Sequence, residues 1–162
     1  MESGLHGNSE PMRSLRVLVA VDDTDASLDA LSFAEDILPS ESEVLLLNVA
    51  TSIADSSFLL APTPLGAVVP PPDAGIEVGA LRERARSVLA QARAEVGRTD
   101  LDVSVVVDEG DAASRICDTA ASAEVDLVVV GTNDRGLFER MWMGSVSRRV
   151  VAAAPCPVLV VR

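Results

Sequence analysis

Two strand-like segments end in residues able to hold a ligand. Leu15–Val21 (LRVLVAV) runs into Asp22-Asp23, and Val125–Val130 (VDLVVV) runs into Gly131-Thr132-Asn133-Asp134. Thirteen positions beyond Gly131 stand Gly144 and Ser145, at the predicted start of a helix. A loop that leaves a strand through glycine and enters a helix through Gly-Ser suits phosphate. Its backbone N–H groups can be approached closely, and a helix N-terminus is electropositive. Glycines flanking a loop also serve as plain turn residues, and spacing alone leaves both readings open. Asp22 and Asp23 read either as an acid pair for acid–base work or, more simply, as a strand-end turn and helix cap. Other chemistry is excluded. His6, in the polar stretch Met1–Ser14, is the only histidine. A Ser-His-Asp triad, a Cys-His pair and a His-rich metal site therefore lack their central residue. Cys117 and Cys156 have no CxxC spacing and make no disulfide framework, which points to a reducing cytosol. Cys117 falls on an apolar helix face as core packing, and Cys156 is held between Pro155 and Pro157.

The elements that position these residues alternate. Leu15–Val21 is a continuous apolar run of strand length, as expected for a strand buried on both faces. Thr24 or Asp25 caps a helix in which Leu28, Leu31, Ala34 and Leu38 recur at helical spacing until Pro39 stops it. Val44–Ala50 (VLLLNVA) is a second strand. Ala80–Val96 is an amphipathic helix with Leu81, Ala85, Val88, Leu89, Ala92 and Val96 on one face, ended by Gly97. Leu101–Val107 is a third strand, and Asp111 caps a helix reaching about Ser122, with Ile116, Cys117 and Ala120 inward. Val125–Val130 is the fourth strand, 131–143 a loop, and a helix from about Ser145 to Ala153 leads into a last strand, Val158–Val161. Strands joined by crossover helices pair in parallel with right-handed connections, so the chain reads as a doubly wound α/β sheet with helices on both faces. Residues 1–14 read as a flexible tail and 15–162 as one domain.

One stretch breaks the alternation. Residues 51–79 contain Pro62, Pro64, Pro70, Pro71 and Pro72, which forbid regular structure through much of it, although Ile53–Leu60 suits a short helix. A loop of this length is a cover over the sheet end, a ligand lid or a partner-binding segment.

Composition removes further classes. The 162 residues carry 13 Lys and Arg against 25 Asp and Glu, a net charge of −12. Such a chain repels nucleic acid and anionic membrane surfaces, because both are bound through cationic side chains. Aromatics are limited to Phe33, Phe58, Phe138 and Trp142, so stacking platforms for single strands are missing. Trp142, in the glycine loop, is a core plug or an interface anchor. No apolar run approaches the roughly 20 residues of a membrane span.

The segments LRVLVAVDDTDASLDAL, VDLVVVGTNDRG and GSVSRRVVAAAPCPVLVVR together make the chain resemble the universal stress protein family across most of Leu15–Arg162. That resemblance implies a five-stranded parallel sheet of order 3-2-1-4-5, of the Rossmann-like, adenine nucleotide alpha hydrolase-like class, with its switch point between strands one and four. It implies a cytoplasmic, homodimeric stress-response regulator, paired partly through the edge strand Val158–Val161, which binds rather than catalyses. The nucleotide-binding branch of the family carries Gly-x2-Gly-x9-Gly-Ser/Thr, with ATP and Mg as ligands. By resemblance Asp22 sits near the ribose or the metal, Val49 and Val130 lie beside adenine, and Gly131 and Asn133 line the phosphates. Gly144, Ser145, Val146 and Ser147 would donate hydrogen bonds to them.

The middle glycine of the pattern is Asp134 here. Like charges about 4 Å apart repel by about 4 kcal/mol at an effective dielectric near 20. A helix terminus returns only about 0.3–1 kcal/mol. A divalent cation bridging carboxylate and phosphate would remove the conflict, as would Asp134 turning outward to Arg135 or Arg140. Three readings follow: a nucleotide-binding regulatory module, an interaction module of the same fold without nucleotide, and a slow ATPase. The last is weakened by a first loop, Asp22–Ser27, that contains no glycine.

Overall fold

The computed structural model describes residues 13–51, 78–132 and 144–162. The expected helix at Ile53–Leu60, and Asn133, Asp134 and Trp142, lie outside the described residues. The element order is β1 (Arg16–Ala20), α1 (Asp25–Ile37), β2 (Glu43–Ala50), α2 (Val78–Glu95), β3 (Asp102–Glu109), α3 (Ala112–Ser122), β4 (Leu127–Gly131), α4 (Ser145–Ala153) and β5 (Val158–Val161).

The five strands pair in parallel in the order β3-β2-β1-β4-β5. β1 is central, and its sequence carries the reason. Val17, Leu18 and Val19 are fully buried. Successive side chains of a strand point to opposite faces, so a strand covered on both sides must be apolar throughout. Val17, Val19 and Val21 pack on one face with Ala30, Leu31 and Ala34 of α1 and Leu89 and Ala92 of α2. Leu18 packs on the other with Leu47, Ile116 and Ala120 of α3, and Val150 of α4. Burying each such Val, Leu or Ile side chain contributes about 1.5–3 kcal/mol, and these two layers hold the fold.

The strand ends differ from the sequence expectation in an informative way. β1 stops at Ala20, one residue short of the apolar run, although Val21 is still buried and its N–H donates to the Leu47 carbonyl (2.9 Å). β3 runs two residues further than expected, to Glu109, because β2 keeps pairing with it through Val49↔Asp108 and Ala50↔Glu109. β2 therefore projects beyond the end of β1. The helices start on side-chain caps: Thr24 accepts from the Ser27 N–H, and Asp111 accepts from the Ser114 N–H. None of the described helices is long and apolar enough to cross a membrane.

The carboxyl end of α1 is finished from outside. Arg98 Nη1 donates to the carbonyls of Glu35 (2.8 Å) and Leu38 (2.6 Å), supplying partners to groups the helix leaves open. Arg98 is held in turn by Asp100, whose carboxyl its guanidinium lowers to about 2. A carboxyl depressed in the folded state stabilises above its unfolded value, about 3.9 for Asp, and that contribution fades as pH falls through the folded value. Thermal midpoints of the wild type and Asp100→Asn are thus expected to differ by a constant amount from pH 7 to about 5. The gap should close between about pH 4 and 2; a gap that widens with acid would contradict this origin.

Candidate functional site

The winding changes direction between β1 and β4: α1 and α2 cover one face, α3 and α4 the other. In open α/β sheets the connections diverge at that point and leave a crevice outside the carboxyl ends of the strands. A cleft of 260 Å³ occupies this position. Every described residue that the sequence assigned to a ligand lines it: Asp22, Val49, Val130, Gly131, Gly144, Ser145, Val146 and Ser147. Asn133 lies outside the described residues.

Each wall has a local cause. Gly131 closes β4 directly beneath the first turn of α1. A Cβ there would stand 2.3 Å from the Ala26 carbonyl oxygen and 2.6 Å from its carbon. The backbone itself therefore requires glycine, before any ligand is considered. The turn after β1 is equally determined. Asp22 Oδ1 accepts from the Thr24 N–H (3.0 Å) and from its hydroxyl. Ser27, buried in the first turn of α1, donates to the carbonyls of Asp22 (3.0 Å) and Thr24 (2.9 Å). Asp23 turns away and pairs with Arg84 of α2. The two acids thus serve a turn and an ion pair, and they do not form a joint acid–base unit.

The α4 wall is different. Its N-cap is Gly144, and among the described residues no side chain caps the helix. Ser147 donates its hydroxyl to the Gly144 carbonyl (3.1 Å) instead of accepting from the chain. The first N–H groups of a helix have no intrahelical acceptor, so the start of α4 presents donors and a partial positive charge beside the cleft. Ser147 is buried, whereas Ser145 and Val146 are exposed.

Several lining residues carry signals that the sequence reading did not use. Asn48 is the one polar residue inside the apolar part of β2 and is 8% exposed. Its Nδ2 donates to the Val21 carbonyl (2.7 Å). Where β1 has ended, this side chain stands in for the missing ladder bond. Backbone groups alternate along a strand, and the Leu47 carbonyl faces β1. The N–H and C=O of Val49 consequently turn toward the same side, past the end of β1, where the carbonyl also accepts from the Thr51 hydroxyl (3.4 Å). Ala112 and Ile116 of α3 complete an aliphatic wall with Val130. Among the described lining residues Asp22 is the single titratable group. No group of three or more His, Cys, Asp or Glu able to hold a metal occurs among the described residues. Cys117 and Cys156 are partly buried free thiols, and burial pushes both upward, so they stay protonated at neutral pH.

A doubly wound sheet with this switch-point cleft defines a class of Rossmann-like α/β proteins whose ligand sites lie at strand ends. The family model of the universal stress protein family matches residues 14–162, and the chain belongs to that family. A universal stress protein of Thermus aquaticus is 41% identical over 80 residues, covering 49% of this chain; the chain spans 57% of that relative's length. Universal stress protein YxiE of Bacillus subtilis is 27% identical over 91% of this chain and 98% of its own. Among solved structures, hypothetical protein MJ0577 superposes with a TM-score of 0.71 at 20% identity, covering 91% of this chain and 94% of that one. A family member from Arabidopsis thaliana with AMP bound gives 0.57 at 22% identity, covering 90% of each chain.

The contact beneath α1 yields a direct expectation. Gly131→Ala forces backbone against backbone and should lower unfolding stability by about 1–3 kcal/mol, the usual range for overpacking. Urea unfolding measures it; an unchanged midpoint would mean that α1 can move away freely.

Proposed function

We propose that this protein is a regulatory module that binds an adenine nucleotide in the β1/β4 cleft and signals through contacts with a second copy of itself. The observation that carries this reading is the start of α4 beside the cleft, with a glycine at its N-cap, where Gly144–Ser147 offer N–H donors to an anion. The opposite end of the cleft suits the base. Val49, Val130 and Ile116 supply aliphatic faces, and the N–H and C=O of Val49 supply the donor and acceptor that an adenine edge requires. Asp22, between these ends, keeps Oδ2 for a ribose hydroxyl or a cation, since Oδ1 is engaged by Thr24. One carboxylate oxygen does not hold Mg²⁺ alone, so a magnesium ion here would be carried mainly by phosphate oxygens, as this cation ordinarily is. The AMP seen in the Arabidopsis relative supports the ligand class.

The second-copy reading rests on β5. It ends the sheet, and Val158–Val161 are all only partly buried. Phe33 and Ile37, each 44% exposed, lie four residues apart on the flank of α1 opposite Glu35, which binds the Gly97 N–H beyond α2. That flank lies on the β5 side. An open apolar edge beside exposed Phe and Ile fits the same surface of another protomer. A cytoplasmic setting agrees with the two free thiols.

The nucleotide-free interaction module stays in view because Asp134 replaces the middle glycine of the phosphate loop. Calorimetry separates the two readings. Mg-ATP should release or absorb heat and raise the melting temperature at millimolar ligand or below, and Asp134→Gly should tighten binding by relieving repulsion. Absence of both heat and thermal shift would reject the nucleotide reading, and unchanged affinity in Asp134→Gly would reject the charge account. For the interface, sedimentation should find a dimer that Phe33→Asp converts largely to monomer. A wild-type monomer, or a variant dimer of equal strength, would remove that surface.

A further inference from the structure

One carboxylate ties together two walls of the cleft. Asp111 caps α3 by accepting from the Ser114 N–H (3.0 Å) and its hydroxyl (2.8 Å). The same side chain meets Arg149 of α4 through both oxygens: Nη1 to Oδ2 at 2.7 Å and Nη2 to Oδ1 at 2.6 Å. The residue after Asp111, Ala112, lines the cleft together with Ile116. Arg149 stands one helical turn beyond Ser145, on the same side of α4. The pair thus joins residues 38 apart in sequence, the N-cap of α3 and the second turn of α4. The Arg149 guanidinium holds the Asp111 carboxyl well below the usual carboxylate range, so the carboxyl stays ionised at neutral pH.

We infer that Asp111 and Arg149 are positioning residues: their bidentate pair clamps the first turns of α4 against the start of α3 and sets the donors at Gly144–Ser147. This deepens the nucleotide reading and rests on it for the ligand, though not for the clamp. Two parallel N–H···O bonds fix orientation as well as distance, which a single contact between flexible side chains does not. Lysine would keep the charge and lose the fork. The pairing also has a chemical consequence. Arg149 is committed to Asp111, leaving the anion to the backbone donors of α4.

Two variants isolate the clamp. Asp111→Asn retains a good N-cap while deleting the ionic partner, and Arg149→Lys retains the charge while deleting the bidentate geometry. Amide hydrogen exchange is read first. The N–H of Arg148, bonded to the Gly144 carbonyl in the wild type, and those of Arg149 and Val150 should exchange about 5-fold faster or more in each variant, while amides of β1 and β4 keep their rates. Mg-ATP affinity is read second and should fall about 5-fold in each. The double variant should be no worse than the weaker single one, because both remove the same interaction. Unchanged exchange in α4 overturns the clamp whatever the nucleotide does. A uniform rise across the sheet does so too, since it would mean general destabilisation. Faster α4 exchange with unchanged nucleotide affinity overturns the link to the donors. If the wild type binds no Mg-ATP yet α4 exchange rises locally, the nucleotide reading falls and the clamp stands.

Discussion

The cleft depends on how closely the end of β4 approaches the first turn of α1. At Gly131 the two backbones come within a distance that admits no side chain, because a Cβ would stand 2.3 Å from the Ala26 carbonyl oxygen. That contact places the start of α1 over the end of β4, which sets the turn Asp22–Thr24 at one rim. α1 packs on one face of the sheet and α4 on the other. The glycine that looks like a ligand residue is first a packing residue.

Charge is arranged around this opening with little to spare. The chain carries a net −12, yet the described cleft lining contains one acid, Asp22. Nearby acids are engaged elsewhere: Asp23 with Arg84, and Asp111 with Arg149. The α4 terminus contributes an attraction for an anion of about 0.3–1 kcal/mol at an exposed site and up to about 2 when partly buried. A site built in this way discriminates by geometry and hydrogen bonds more than by field. A single negative charge added beside it would outweigh that attraction.

Much of the fold was legible because parallel, doubly covered strands write themselves as unbroken apolar runs. LRVLVAV and VDLVVV need no tertiary information to be read as buried strands. The caps Thr24 and Asp111 and the start of α4 at Gly144-Ser145 were equally local. Strand ends were less so. Hydrophobicity continues past the end of β1 into Val21, and the extension of β3 to Glu109 comes from pairing with β2, which no local pattern records. In the cleft, the glycine and serine positions were legible through the family resemblance. Asn48 left a usable mark, a lone amide within VLLLNVA, but its function as a substitute ladder partner appears only once β1 is seen to stop short. Arg149 left none. An arginine on a short amphipathic helix reads as solvated surface until α3 is packed beside it.

The central claim is that an adenine nucleotide lies with its phosphates on the first turn of α4 and its base against the end of β2. Backbone amide chemical shifts recorded during a Mg-ATP titration test this most directly. The account predicts saturable shifts of the Ser145, Val146 and Ser147 amides together with that of Val49, and little change along the outward face of α2. Saturable shifts confined to other surfaces, or none at Ser145–Ser147 with millimolar nucleotide, would contradict it.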